Sequence, residues 1–289
     1  MCGSEFRMTT RIVRARNAGP PGESLSGASG LIERYKSAAR ALVDAWKNPG
    51  DFERSENLRV FESLGTLALM AALVGVGVTY DVALTRWAAT LSPDVQWFFA
   101  RVTHLGASGY VFALTALGVV LGVGLRGRNA SRRLNLALTV LAERAFYLFT
   151  VAAVSGVASQ ALKHLFGRAR PKLIDIVGFL HFDPFAFDAT FASFPSGHAV
   201  TAFAMAVGLG YFAPRLMAPL LALAALVAAS RVVIGSHYLS DVLFGAALGY
   251  ASAVLVRRAF AARRMAFRLR DGKIAPRGGA RLIIRGFWR

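Results

Sequence analysis

The sequence predicts an all-α protein, an integral membrane bundle of six transmembrane helices. Three observations carry that prediction. First, 55% of the 289 residues are hydrophobic and the mean hydropathy is +0.47, too apolar for an ordinary soluble domain. Second, the apolar residues gather in six runs, and helix is the expected form because isolated strands cannot satisfy their backbone in lipid. Third, the Lys and Arg residues behind the formal net charge of +18 avoid those runs and cluster beside them. On a soluble protein such a charge would suggest nucleic acid. Beside apolar runs it suits the cytoplasmic flanks of a membrane protein, with basic tails on anionic lipid and no nucleic-acid partner.

Taken in order, residues 1–59 are polar, with Gly, Pro and Ser from Gly19 to Gly30. They read as a cytoplasmic N-terminal segment, partly disordered. Gly3-Ser4-Glu5-Phe6 resembles a cloning remnant, with Met8 as the natural start. Cys2 is the single cysteine, so no intrachain disulfide is possible. Leu31 to Trp46 has apolar residues at helical spacing among Arg34, Lys36 and Arg40, which fits a helix on a membrane surface or a soluble amphipathic one.

The membrane domain is expected over residues 60–256. Its apolar runs are Leu64–Tyr80, Tyr110–Leu125, a third within Leu134–Leu165, Ala199–Phe212, Leu216–Ile234 and Val242–Val256. A spanning helix needs about 20 residues, with a lower limit near 17. The fourth and sixth runs reach that length only by beginning at Gly197 and Ser240. Orientation follows from the flanks. The N-terminal segment, the Arg-rich link 126–133, Arg215 and the basic tail 257–289 fall on one face if there are six crossings. That face is expected to be cytoplasmic, in a bacterial inner membrane, with both termini inside. The links Asp81–Gly109, His164–Gly197 and Gly235–Asp241 then lie outside.

The first of these links carries Trp87, Leu91, Trp97, Phe98 and Val102, expected as a short interfacial helix anchored by Trp. Between Lys172 and Phe194 the chain carries six Phe residues with Asp175, Asp183 and Asp188, which fits either packing or a hydrophobic lid for a lipid. His104 and His181 are expected to be structural or solvated. Glu143 and Arg144 are expected to pair at the inner end of the third helix, since either alone would be costly there.

Three patterns carry chemistry. Lys163 and Arg170 are separated by six residues and followed by Pro171. Pro195-Ser196-Gly197-His198 precedes the fourth run. Ser230-Arg231, five residues, His237, three residues and Asp241 close the set. Three cations and a helix N-terminus suit a phosphate dianion: Arg gives paired donors and Lys a point charge. Ser196 is a good helix N-cap. Asp241, read as one helical turn from His237, is expected to orient and polarise the imidazole.

The set K-x6-R-P, P-S-G-H and S-R-x5-H-x3-D resembles the three signature motifs of the phosphatidic acid phosphatase type 2 superfamily, with every fixed position matched. The resemblance implies a membrane lipid phosphate phosphatase. It implies that His237 attacks phosphorus and forms a phosphohistidine, supported by Asp241. It implies that His198 protonates the leaving oxygen and then activates water. It implies that Lys163, Arg170, Ser196, Gly197 and Arg231 bind phosphate, with no metal or other cofactor. Two isolated histidines with one Asp also make no recognisable zinc pattern. The alternatives are a lipid phosphotransferase with the same site and, from a different class, a transporter with a polar bundle interior. Vanadium-dependent haloperoxidases resemble the same motifs but are soluble. Phosphatidic acid, phosphatidylglycerol phosphate, undecaprenyl diphosphate and lipid A phosphates all remain open as substrates.

Overall fold

The structure is a computed structural model that describes residues 28–47, 57–127, 130–270 and 273–278, without the side chains of 57–67, 69 and 70. The polar stretch before residue 28 and the end of the basic tail from residue 279 lie outside the described residues. The chain divides into two compact units, 1–42 and 43–289. Helix α1, Ala28–Lys47, begins in the first. One of its faces is apolar and the other charged, as the spacing of Leu31 to Trp46 predicts.

The second unit holds the bundle: α2 (Asn57–Ala89), α3 (Pro93–Val102), α4 (Ser108–Gly124), α5 (Arg132–Phe166), the one-turn α6 (Ile174–Val177), α7 (Gly197–Gly210), α8 (Met217–Val233) and α9 (Leu239–Ala262). Local chemistry explains their limits. Pro93 opens α3, where its missing N–H costs nothing. Ser131 caps α5, its Oγ accepting from the Leu134 N–H at 3.2 Å. Gly167 ends α5 in the left-handed region at φ 58°.

Helix α2 runs nine residues beyond the predicted end of its apolar run, from Tyr80 to Ala89. Trp87 therefore belongs to α2, and the interfacial helix expected for the first link is confined to α3 and the turn Thr103–Gly106. Among the described residues, four stretches are long and apolar enough to cross a membrane: Pro93–Gly124, Arg132–Phe166, Pro214–Val233 and Leu239–Ala262. Helix α7 is apolar but has only 14 residues, although it begins at Gly197 as expected.

Helices α7 and α9 make the most intimate pair. A Cβ on Gly245 would lie 2.7 Å from the Ser196 carbonyl, and one on Gly249 would overlap the Val200 carbonyl and approach the Ala204 nitrogen to 2.8 Å. Two glycines one turn apart on α9 thus let its backbone touch that of α7. Ala199, Ala228, Val232 and Val242 pack beside this contact, joined by Leu84 and Phe203. The first turns of α7 and α9 are held side by side as a result.

The tail departs from an all-α fold. After α9 an antiparallel pair forms, β1 (Phe267–Arg270) with β2 (Lys273–Pro276). Phe267 is fully buried, stacked on Phe212 at 4.9 Å and edge-on to Tyr147 at 4.9 Å. Glu143 and Arg144 hold this hairpin instead of pairing with each other. Glu143 accepts from the Ala266 N–H at 3.1 Å and from Arg277 Nη1 at 3.4 Å. Arg144 donates to the carbonyls of Gly278 and Arg277. Each strand has four residues, too few for alternation to mark it out along the chain.

Candidate active site

The site forms where the chain leaves α5 and α8 and enters α7 and α9. Lys163 stands in the last turn of α5 and its Nζ donates a hydrogen bond to the Ala192 carbonyl at 2.8 Å. Past Gly167 the chain folds back on itself. Asp183 N–H donates to the Gly167 carbonyl at 2.8 Å, Ala169 N–H to His181 at 3.0 Å, and Arg170 N–H to Thr190 at 2.9 Å. A Cβ on Gly167 would overlap the Asp183 carbonyl, so the reversal needs glycine for space as well as for φ.

Ser196 precedes α7 as its N-cap residue, but its hydroxyl makes no cap hydrogen bond. Its backbone N–H donates to the Asp241 carbonyl at 3.1 Å. The missing Cβ of Gly197 would lie 3.9 Å from Lys163 Cε. His198 follows in the first turn of α7, with Gly106 packed against its Cβ. Arg231 in the last turn of α8 donates from Nη1 to Thr103 Oγ1 at 2.7 Å. The carbonyl of Arg231 accepts from the N–H groups of Ser236 at 3.0 Å and His237 at 3.2 Å. Ser196 Oγ, Arg170 Nε and Arg231 Nε are buried with no hydrogen-bond partner among the described residues. Buried polar atoms are rarely left so, and these three donors suit the oxygens of an anion.

His237 is 3% exposed. It sits in the loop before α9, so His237 and Asp241 are not on consecutive turns of one helix. The partner of its Nδ1 is the Ser193 backbone carbonyl at 2.7 Å; Asp241 Oδ2 is 3.9 Å away. A carbonyl only accepts, so Nδ1 carries the proton and Nε2 keeps its lone pair. Burial first, then the charges of Lys163, Arg231 and Arg170, hold the His237 pKa well below the usual histidine value. The imidazole is therefore neutral.

Asp241 is fully buried. Its Oδ2 accepts from Ser193 Oγ at 2.6 Å and from the Tyr238 N–H at 3.0 Å, and its Oδ1 from Arg168 Nη1 at 2.6 Å. Arg168 also gives Nη1 to Ser240 Oγ at 2.7 Å and Nη2 to Asp81 Oδ2 at 2.9 Å. Asp81 in turn accepts from the Ser240 N–H at 2.9 Å and its hydroxyl at 2.6 Å. Burial opposes the charge on Arg168, but Asp241 and Asp81 outweigh it and raise its pKa.

All eight residues named from the motifs gather at this end of the bundle. Asp81, Thr103, Arg168, Ser193 and Ser240 were not foreseen. Arg168 carried a signal, a charge inside an otherwise mostly apolar spacer. Asp81 carried another, as the only carboxylate between Glu62 and Asp94. Ser193 had none: it lies outside the three patterns, and its backbone carbonyl matters as well as its hydroxyl.

Beside the centre lies a cavity of about 370 Å³, lined by Arg170, Lys172, Ala189, Ile234, Gly235 and Ser236. Phe187 at 82% and Ile176 at 76% exposure stand out on the segment between Arg170 and Ser193, with Phe185 and Leu180 also exposed.

Residues 144–265 match the family model of the PAP2 superfamily. The chain is similar to lipid A 1-phosphatase of Rhizobium etli, 37% identical over 132 residues, which are 46% of this chain and 55% of that one. It is similar to phosphatidylglycerophosphatase B of Bacillus subtilis, 27% identical over 190 residues, 61% of this chain and 81% of that one. It thus spans about half the length of the lipid A 1-phosphatases it matches. Among solved structures, the transmembrane PAP2-type phosphatidylglycerolphosphate phosphatase of Bacillus subtilis aligns with a TM-score of 0.44 at 25% identity, over 67% of this chain and 93% of that one.

Proposed function

We propose that the chain, whose residues 144–265 match the PAP2 superfamily, is a membrane-embedded phosphatase that hydrolyses a lipid phosphate or diphosphate through a phosphohistidine. The observation that carries this reading is His237: a neutral imidazole with its proton on Nδ1, beside three cations. In the first step Nε2 attacks phosphorus and the P–O bond to the lipid breaks. The electron pair goes to the lipid oxygen, which His198 protonates. In the second step His198 takes a proton from water, the water oxygen attacks phosphorus, and the P–N bond breaks with its pair returning to the imidazole. Lys163, Arg170, Arg231, the Ser196 hydroxyl and the Gly197 N–H hold the phosphoryl oxygens as charge develops.

The bundle has six crossings in this reading. Helices α2 and α7 join the four long apolar stretches, both termini are cytoplasmic, and the site opens on the outer face of a bacterial inner membrane. The exposed Phe and Ile side chains between Arg170 and Ser193 suit acyl chains entering from lipid. The activities named for the relatives make lipid A and phosphatidylglycerol phosphate the first substrates to test. Phosphate release from these two, phosphatidic acid and undecaprenyl diphosphate is measured with purified protein in detergent. Activity on at least one, lost in His237→Ala, is expected; none on any would sink the reading. Chelator is expected to leave turnover intact and vanadate to inhibit it, because cationic side chains bind the phosphate. Loss in chelator, restored by a divalent ion, would count against the assigned site.

A further inference from the structure

We propose that Asp81, Arg168 and Ser193 are positioning residues for His237, forming with Asp241 a buried chain that sets the imidazole tautomer and stabilises its developing positive charge. The proposal rests on the reading of His237 as nucleophile. The chain of contacts is continuous. Asp81 accepts a hydrogen bond from Arg168, Arg168 donates another to Asp241, Asp241 accepts from the Ser193 hydroxyl, and the Ser193 carbonyl accepts a hydrogen bond from His237 Nδ1–H. Ser193 is clamped a third time, its N–H donating to the Arg168 carbonyl at 3.0 Å.

Two carboxylates and a guanidinium are each at most 2% exposed here. Buried ions are costly unless every lone pair and proton is matched, and hydrophobic replacements often serve stability equally well. This cluster is matched at nearly every position, with the Arg168 guanidinium also over the Tyr238 ring at 4.3 Å. Stability alone gives no reason for ions at this point; the reaction does. Attack through Nε2 forms the N–P bond, breaks the P–O bond and leaves the ring positively charged. The Nδ1 proton stays on the ring, because the Ser193 carbonyl cannot accept it as a base. Asp81, Arg168 and Asp241 together carry one net negative charge, which opposes the repulsion from Lys163, Arg170 and Arg231 as that charge appears. Arg168 lies in the spacer between Lys163 and Arg170, yet its guanidinium hydrogen bonds go to this chain, to Ser240 Oγ and to the Phe179 carbonyl. Asp81 comes from α2, outside the segment that matches the family.

Asp81→Asn is nearly isosteric and keeps an acceptor for the Ser240 N–H while removing the charge. Arg168→Lys keeps a charge but not the fork that joins the two carboxylates. Both are assayed well below their melting temperatures, by steady-state kinetics and by the single-turnover rate of labelling from a lipid carrying radioactive phosphate. We expect kcat and the labelling rate to fall together by about 10–100-fold, as when an outer partner of a metal-bound histidine is lost, with KM within about twofold. Should Asp81→Asn not fold, Arg168→Lys and Ser193→Ala carry the same test. Folded variants that label as fast as the parent, or that lose KM alone, overturn the proposal. A parent enzyme that turns over without ever carrying label overturns the phosphohistidine reading and this proposal with it.

Discussion

His198 and His237 differ in surroundings, and so should their variants. His237 is locked by a carbonyl in a loop, whereas His198 opens α7 beside Ser196 and Gly197. If His237 is the nucleophile, as proposed, its loss leaves no covalent step, so His237→Ala should be inactive with any leaving group. Acid–base help is worth about 10²–10⁴-fold, so His198→Ala should be crippled on a lipid ester yet partly rescued on an activated aryl phosphate. Equal rescue of both variants would overturn these roles. The low pKa of His237 also has a sign in stability. Unfolded, its imidazole titrates near 6.5; folded, it titrates well below. As pH falls through about 6.5 the unfolded chain takes a proton that the folded chain refuses, so stability falls with pH. The drop in melting temperature from about pH 8 to about pH 5 should be smaller in His237→Gln than in the parent. An equal drop would mean that folding leaves the proton affinity of this residue unchanged.

The contact of α7 with α9 is what sets the two halves of the site against each other. Gly245 and Gly249 let Ser196 and Asp241 approach close enough for a backbone hydrogen bond of 3.1 Å. A methyl group at Gly249 meets backbone, which cannot rotate away as a flexible side chain would. Gly249→Ala should therefore cost about 1–3 kcal/mol, the usual range for overpacking. It should also lower kcat more than KM by tilting α7 away from α9. A parent-like melting temperature and kcat would show that the pair has slack. The hairpin plays a comparable part at the opposite end, where Arg257 donates to the Ile274 carbonyl at 2.6 Å and covers Tyr211 at 3.9 Å.

Charge and apolar length together predict how the bundle lies in its membrane. Reporter fusions after Arg128 and after Phe187 should report opposite sides, with the Arg128 fusion inside. The same side for both would sink the six-crossing topology. The chain itself announced a helical membrane protein, because hydropathy and flanking charge are local and additive along it. It also named His198, His237 and the cations as candidates, because side-chain chemistry at fixed spacing survives without coordinates. It could not reveal the hydrogen-bond partner of His237. That partner is a backbone carbonyl 44 residues away, and every residue has one. Nor could it foretell the ion cluster of Asp81, Arg168 and Asp241, whose members are 73 and 87 residues apart from Arg168. Such pairings depend on which helices touch. That was decided by the small-residue faces of α7 and α9 and by the extra length of α2, features whose meaning appears only when the helices are packed together.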